Sequence, residues 1–284
     1  MIKFGPGGNS KSFYDAGHKA TTEAPKWLAE IGLDAYEYEC GNGVNVTEPT
    51  AKKIGEEAKK YTIALSVHAP YFISLASEEE EKRQNSIRYI LNTLKVAKFM
   101  GATRIVVHPG GMGKRERKDA FLLAMETMKE VVRVAKSEGY NDIYICPETM
   151  GKINQLGTVE EIIQMCQMDE MLLPTIDFGH INARTMGGLK TEEDFISIIH
   201  TIKNSLGTER GNNFHVHFSK IEYTKGGEKK HLTFEDTEFG PDFTLLAKAM
   251  KKTGVTPTII CESAGTMAED AKQMKDIYNS LYKL

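Results

Sequence analysis

Short apolar runs alternate with longer amphipathic stretches along the whole chain. The apolar runs read as strands at residues 2–4, 35–39, 64–68, 104–108, 143–148, 173–177, 214–218 and 258–262. Runs of this kind are expected of parallel strands covered on both faces. Between them, apolar residues recur at three- and four-residue spacing, which predicts helices over 24–31, 50–61, 78–100, 117–138, 243–253 and 267–284. Gly101 and Gly139 are placed to stop two of these. Thr158 with Glu161, and Thr191 with the acids that follow it, have the capping-box spacing that opens two more. The sum is eight strand–helix units. It predicts a single (β/α)8 TIM-barrel domain over residues 1–284, with a doubly wound sheet as the competing arrangement.

Six of the apolar runs stop at residue types that bind metal. They end at His68, His108, Glu148, Asp177, His217 and Glu262, and His180 follows Asp177 by three residues. A carboxylate or imidazole at the end of a buried strand is costly unless something pairs with it. Active sites of such barrels lie at the C-terminal strand ends. Six such residues there point to a shared polynuclear metal site. Glu148 has two oxygens and could bridge two cations. Gly179 permits a tight turn that would aim Asp177 and His180 at one point; the competing role for Asp177 is a helix cap. His215 faces the same way as His217 but one layer deeper, so His217 is the expected ligand and His215 a supporting residue. His231 lies in the loop after the seventh strand, while His18 and His200 fall outside the pattern.

Imidazole and carboxylate donors without thiolate suit Zn²⁺, with Mn²⁺ or Fe²⁺ also possible. A multi-metal cluster suits phosphoryl transfer, because one ion lowers the pKa of a bound water and others neutralise the phosphate. Glu148 and Glu262 could also act as acid and base.

Composition narrows the partners. The 284 residues are 40% hydrophobic and 26% charged, with a formal net charge of -3. That charge gives no bulk attraction to nucleic acid, although bound cations could reverse the local sign. The four cysteines have no CxxC spacing, and the expectation is reduced, buried thiols in a cytoplasmic protein. No membrane span or cleavable signal is expected.

The motifs His68-Ala69-Pro70-Tyr71, His108-Pro109-Gly110, Pro147-Glu148-Thr149, Asp177-Phe178-Gly179-His180, His217, His231 and Glu262-Ser263 come in order on successive strands. In that order they resemble endonuclease IV, the apurinic/apyrimidinic endonucleases, within the wider xylose-isomerase-like barrel superfamily. The resemblance implies a trinuclear zinc cluster. His68, His108 and Glu148 would hold one ion. Glu148, Asp177, His217 and Glu262 would hold a second, and His180 with His231 would help hold the third. The implied partner is double-stranded DNA with abasic sites, cut 5′ to the lesion by a monomeric enzyme. Tyr71 falls where the family places a residue that penetrates DNA, and Lys220, Lys225, Lys229 and Lys230 could contact phosphates.

Two departures stand out. The family has an aspartate ligand two residues before the loop histidine, and this chain has Lys229 there, which cannot coordinate while protonated. Glu228 or Glu235 could substitute, or the third ion could be weakly held. The segment after the second strand, 41–45, lacks the arginine- or glutamine-rich sequence that the family uses to grip DNA. The alternative expectation is a metal-dependent isomerase or epimerase of sugars or sugar phosphates.

Overall fold

The computed structural model describes residues 1–281. Eight parallel strands form the barrel wall: β1 (Lys3–Pro6), β2 (Ala35–Glu39), β3 (Ala64–His68), β4 (Arg104–Val107), β5 (Tyr144–Pro147), β6 (Thr175–Asp177), β7 (His215–Phe218) and β10 (Thr258–Cys261). They pair as two four-stranded arcs, β2-β3-β4-β5 and β1-β10-β7-β6. Bridges between Gly7 and Glu37 and between Glu148 and Thr175 close the two seams. At the first seam Gly5 packs on the β2 backbone so closely that a Cβ there would lie 1.8 Å from the Ala35 carbonyl oxygen. The expected barrel is therefore the observed one, and the doubly wound sheet is not.

The helices on the outer face are α1 (Lys11–Asp15), α2 (Ala24–Glu30), α3 (Glu48–Tyr61), α4 (Glu80–Met100), α5 (Arg117–Ser137), α6 (Val159–Cys166), α7 (Phe178–Arg184), α8 (Glu192–Asn213), α9 (Phe243–Thr253) and α10 (Met267–Ser280). Their boundaries follow the local chemistry. The Thr158 hydroxyl accepts from Glu161 N at 3.2 Å while the Glu161 carboxylate accepts from Thr158 N at 3.0 Å, so α6 starts with both orphan amides satisfied. Gly101 ends α4 in the left-handed conformation. The expected last helix ran to 284, and its final three residues lie outside those described. Among the described residues no helix is long and apolar enough to cross a membrane.

Strand alternation divides the side chains into two shells. Val67, Ile105, Val107, Ile145, Val216 and Ile259 join the main core against the helices. Residues of the other parity point into the barrel. Val106, Cys146 and Leu173 make a small separate apolar cluster there. Also of that parity are Ser66, Glu37 and His215, and nearer the C-terminal ends His68, Glu148, Asp177 and His217, all buried. The barrel thus carries its polar load inside and toward one end.

Two elements were not legible as such. The expected loop after the seventh strand forms an antiparallel hairpin, β8 (Ile221–Thr224) and β9 (Gly227–His231). The segment after Asp177 is the helix α7.

Candidate metal centre

Glu148 is the hub of the C-terminal end. Its side chain is fully buried, with Oε2 3.0 Å from His108 Nε2 and 3.4 Å from His68 Nε2. Its Oε1 lies 3.1 Å from His217 Nδ1 and 3.4 Å from His180 Nδ1. Glu262 Oε1 stands 3.4 Å from the same His217 nitrogen. Two ligands about 2.1 Å from one tetrahedral zinc ion stand roughly 3.4 Å apart, and the separations from Glu148 to His68, His108 and His217 are close to that spacing.

The histidines are oriented by anchors on their far nitrogens. His68 Nδ1 donates to the Ala69 carbonyl at 2.7 Å and His180 Nδ1 to the Thr149 carbonyl at 3.0 Å. His231 Nδ1 is 2.9 Å from the Ser219 hydroxyl. In each ring Nε2 is left facing a carboxylate. A ring nitrogen held this way presents a lone pair, which suits a cation between it and the acid. Asp177 takes the cap role and keeps one oxygen free. Its Oδ1 caps α7 by accepting from His180 N at 2.7 Å, while its Oδ2 is buried without a hydrogen-bond partner. Glu148 Oε2 is orphaned in the same way. Buried carboxylate oxygens without donors are the positions a divalent ion would satisfy. Donor type, spacing and orphaned oxygens all fit metal.

The groups of candidate ligand atoms include His68, His108 and Glu148; Glu148, Asp177, His217 and Glu262; His180, Glu228 and His231; and, one layer deeper, Glu37, His215 and His217. The third contains the acid whose place was in question. His180 Nε2 is 3.4 Å from Glu228 Oε2, and His231 Nε2 is 3.9 Å from Glu228 Oε1. Glu228 reaches the site through a bulge. Glu222 pairs with Lys230 and Tyr223 with Glu228, leaving Lys229 as an extra residue on its strand. A bulge places two consecutive residues against one on the partner strand. Lys229 and Lys230 both turn to Glu222, at 2.5 and 3.2 Å, and Glu228 shares the opposite face with His231.

The lysines expected to meet phosphate are placed elsewhere. Lys229 and Lys230 are engaged on the outer face of the hairpin. Lys220 donates to the Phe234 and Asp236 carbonyls and thereby ties down the following loop. Lys220, Lys229 and Lys230 do not line the cleft over the centre. That cleft holds about 480 Å³ and is lined by Lys152, Gln155, Tyr71, Glu39, Ser263 and Met267 together with candidate ligands. Tyr71 is half exposed at its rim.

Glu37 and Glu39 were missed altogether. Glu37 is fully buried and contacts His215 and His217. Glu39 accepts from the Tyr71 hydroxyl at 3.0 Å. The available signal was the alternation in Ala35-Tyr36-Glu37-Tyr38-Glu39, which puts two acids on one face of a barrel strand.

Charges on the metal-free centre are strongly displaced. Burial alone would strip His68 of its proton, yet the acids Glu39 and Glu148 around it lift its pKa to about 10. His180 and His217 are likewise raised against the cost of burial, by Asp177 and by Glu262 respectively among other acids. Burial lifts Asp177 and Glu39 to about 7. Protons therefore occupy nitrogens that a metal would need. Binding an ion should release protons, and apparent affinity should rise as the pH rises toward 10, since fewer protons then compete. Zinc titration of chelator-treated protein in weakly buffered solution, followed with a pH indicator, checks this. Uptake without acidification would contradict it.

The chain belongs to the xylose isomerase-like TIM barrel family, which it matches over residues 25–283. It is 35% identical over 254 residues to an uncharacterized protein of Methanocaldococcus jannaschii, covering 89% of this chain and 90% of that one. A probable endonuclease 4 of Staphylococcus carnosus is 30% identical over 176 residues, 59% of this chain and 57% of the relative. Among solved structures, a D-tagatose 3-epimerase-like protein superposes with a TM-score of 0.75 at 23% identity, covering 99% of this chain and 97% of the other, which speaks to the fold alone.

Proposed function

We propose that this chain is a zinc-dependent phosphodiesterase of the endonuclease IV type, hydrolysing DNA 5′ to an abasic site. The third candidate ligand group, His180 with Glu228 and His231, carries this reading. Isomerisation of a sugar needs one or two ions and a base; a third site beside them suits a phosphate that must be held from several sides. His68 and His108 with Glu148 would hold one ion, and Glu148, Asp177, His217 and Glu262 a second. Bound ions would supply Lewis-acid activation of water and charge neutralisation at the phosphate.

The chain's own residues do the rest. Glu148 and Glu262 stay ionised carboxylates and would supply the negative charge that holds the ions at the reacting phosphate. Tyr71, with Phe72 exposed beside it, offers an aromatic edge to an unstacked nucleotide. Lys152 and Gln155 line the cleft and can donate to phosphate oxygens. The test is nicking of a duplex with one abasic site. Strand cleavage that chelation abolishes and zinc restores supports the reading; an intact duplex under zinc loading rejects it.

One observation favours a second reading, a metal-dependent epimerase or isomerase of neutral sugars. Glu39 is a carboxyl group in the cleft with one oxygen lacking a partner and a pKa lifted by burial to about 7. Such a group can both hold and release a proton near neutral pH. It also adds negative charge where a phosphodiester would bind. Incorporation of solvent deuterium into a ketohexose, with no nicking of DNA, would decide for this reading.

A further inference from the structure

Beneath the candidate ligands lies a buried polar cluster to which neither reading assigns a part. Glu37 and His215 are fully buried and Ser66 nearly so. The Glu37 Oε2 accepts from the Ser66 hydroxyl at 2.6 Å and is 3.0 Å from His215 Nε2. The Glu37 Oε1 lies 2.7 Å from His217 Nε2, an ion-pair contact in which neither atom has a hydrogen-bond partner. His217 turns its other nitrogen, Nδ1, to Glu148 and Glu262. This is the reverse of His68, His180 and His231, which anchor Nδ1 and present Nε2.

The reversal has a chemical reason. An imidazole that coordinates through one nitrogen keeps a proton on the other, and that proton needs an acceptor. His68 and His180 have backbone carbonyls for it. His217 is fully buried in β7, which pairs with β6 on one side and β10 on the other, and its Nε2 faces Glu37. Glu37 Oε1, 2.7 Å away, is the carboxylate oxygen within reach of that proton. Its charge is in turn held by Ser66 and His215, so the carboxylate cannot swing away.

We propose that Glu37 is a positioning residue for the metal centre: it keeps the proton of His217 on Nε2 and so commits Nδ1 to the ion shared with Glu148, Asp177 and Glu262. Ser66 and His215 keep Glu37 in place. This rests on the reading that the centre holds metal. It predicts that a carboxylate buried beneath the ligands, touching no ion and no substrate, sets the affinity of one site and leaves the others nearly unchanged.

The experiment measures zinc affinity by chelator competition in the wild-type chain, Glu37→Gln and His217→Ala, with the ring ¹⁵N shifts of His217 in the zinc-loaded protein. Glu37→Gln should weaken one site about 10- to 100-fold. The ¹⁵N spectrum should show coordination through Nδ1 in the wild type and a loss of that signature in the variant. If Glu37→Gln does not fold, Ser66→Ala removes one donor and keeps the charge, and should weaken the same site about fivefold. Wild-type affinity and shifts in whichever variant folds, when His217→Ala does lose an ion, overturn the proposal and leave the metal reading standing. A wild-type chain that takes up no zinc overturns both.

Discussion

Glu148→Gln is expected to lose at least two bound ions and to lower metal-dependent turnover by about a thousandfold or more. The amide preserves the shape of a side chain with no exposure, so the loss would be one of charge. Glu148 touches His68, His108, His180 and His217. It belongs to both the group with His68 and His108 and the group with Asp177, His217 and Glu262, so one substitution strikes both. The amide nitrogen would also present hydrogens toward His68 and His108, whose free nitrogens would need to stay open for an ion. Elemental analysis and chelator competition on the purified variant check the first part, and turnover the second. Retention of the wild-type metal content would remove Glu148 from the centre of this scheme.

The second large effect is a contrast between neighbours. Glu228→Ala should cost the ion of the third group and reduce turnover by about a hundredfold. Lys229→Ala should leave metal content and turnover within about twofold of wild type, since it deletes only an exposed ion pair. The sequence alone suggested the opposite emphasis, because Lys229 occupies the position of an acid. The structure turns Lys229 to Glu222 on the outer face and Glu228 to His180. Equal losses in the two variants would mean that the bulge does not persist in solution.

The barrel and most of the centre were legible because their signals are local. A short apolar run that stops at His68 or Glu262 carries strand and ligand in one stretch of sequence. Gly101 and the Thr158–Glu161 box likewise write their helix ends in a few residues. What was not legible depends on facing or on partners far along the chain. Glu37 reads as an exposed strand acid until β2 is known to face into a closed barrel, with His215 and His217 across from it. The hairpin was read as a loop because Gly227-Glu228-Lys229-Lys230-His231 has no apolar member to reveal its alternation. Lys220 looked like a phosphate contact, since nothing local announces that two carbonyls fourteen and sixteen residues later claim its ammonium.

The bulge changes how this hairpin should be aligned with others. Along an unbroken strand, residues two apart share a face, which is the aspartate-to-histidine spacing that the endonuclease IV resemblance implies. Here the acid and His231 are three apart, and the strand absorbs the difference by bulging at Lys229. If the third group holds an ion, as proposed, Lys229 counts as an inserted residue and Glu228 as the counterpart of the aspartate. An alignment that forbids a gap inside this short strand will place a lysine in the ligand column and report a missing ligand. Removing Lys229 would restore simple alternation and keep Glu228 and His231 on one side. In this hairpin, parity along the strand and not position along the chain decides which side chains face the centre.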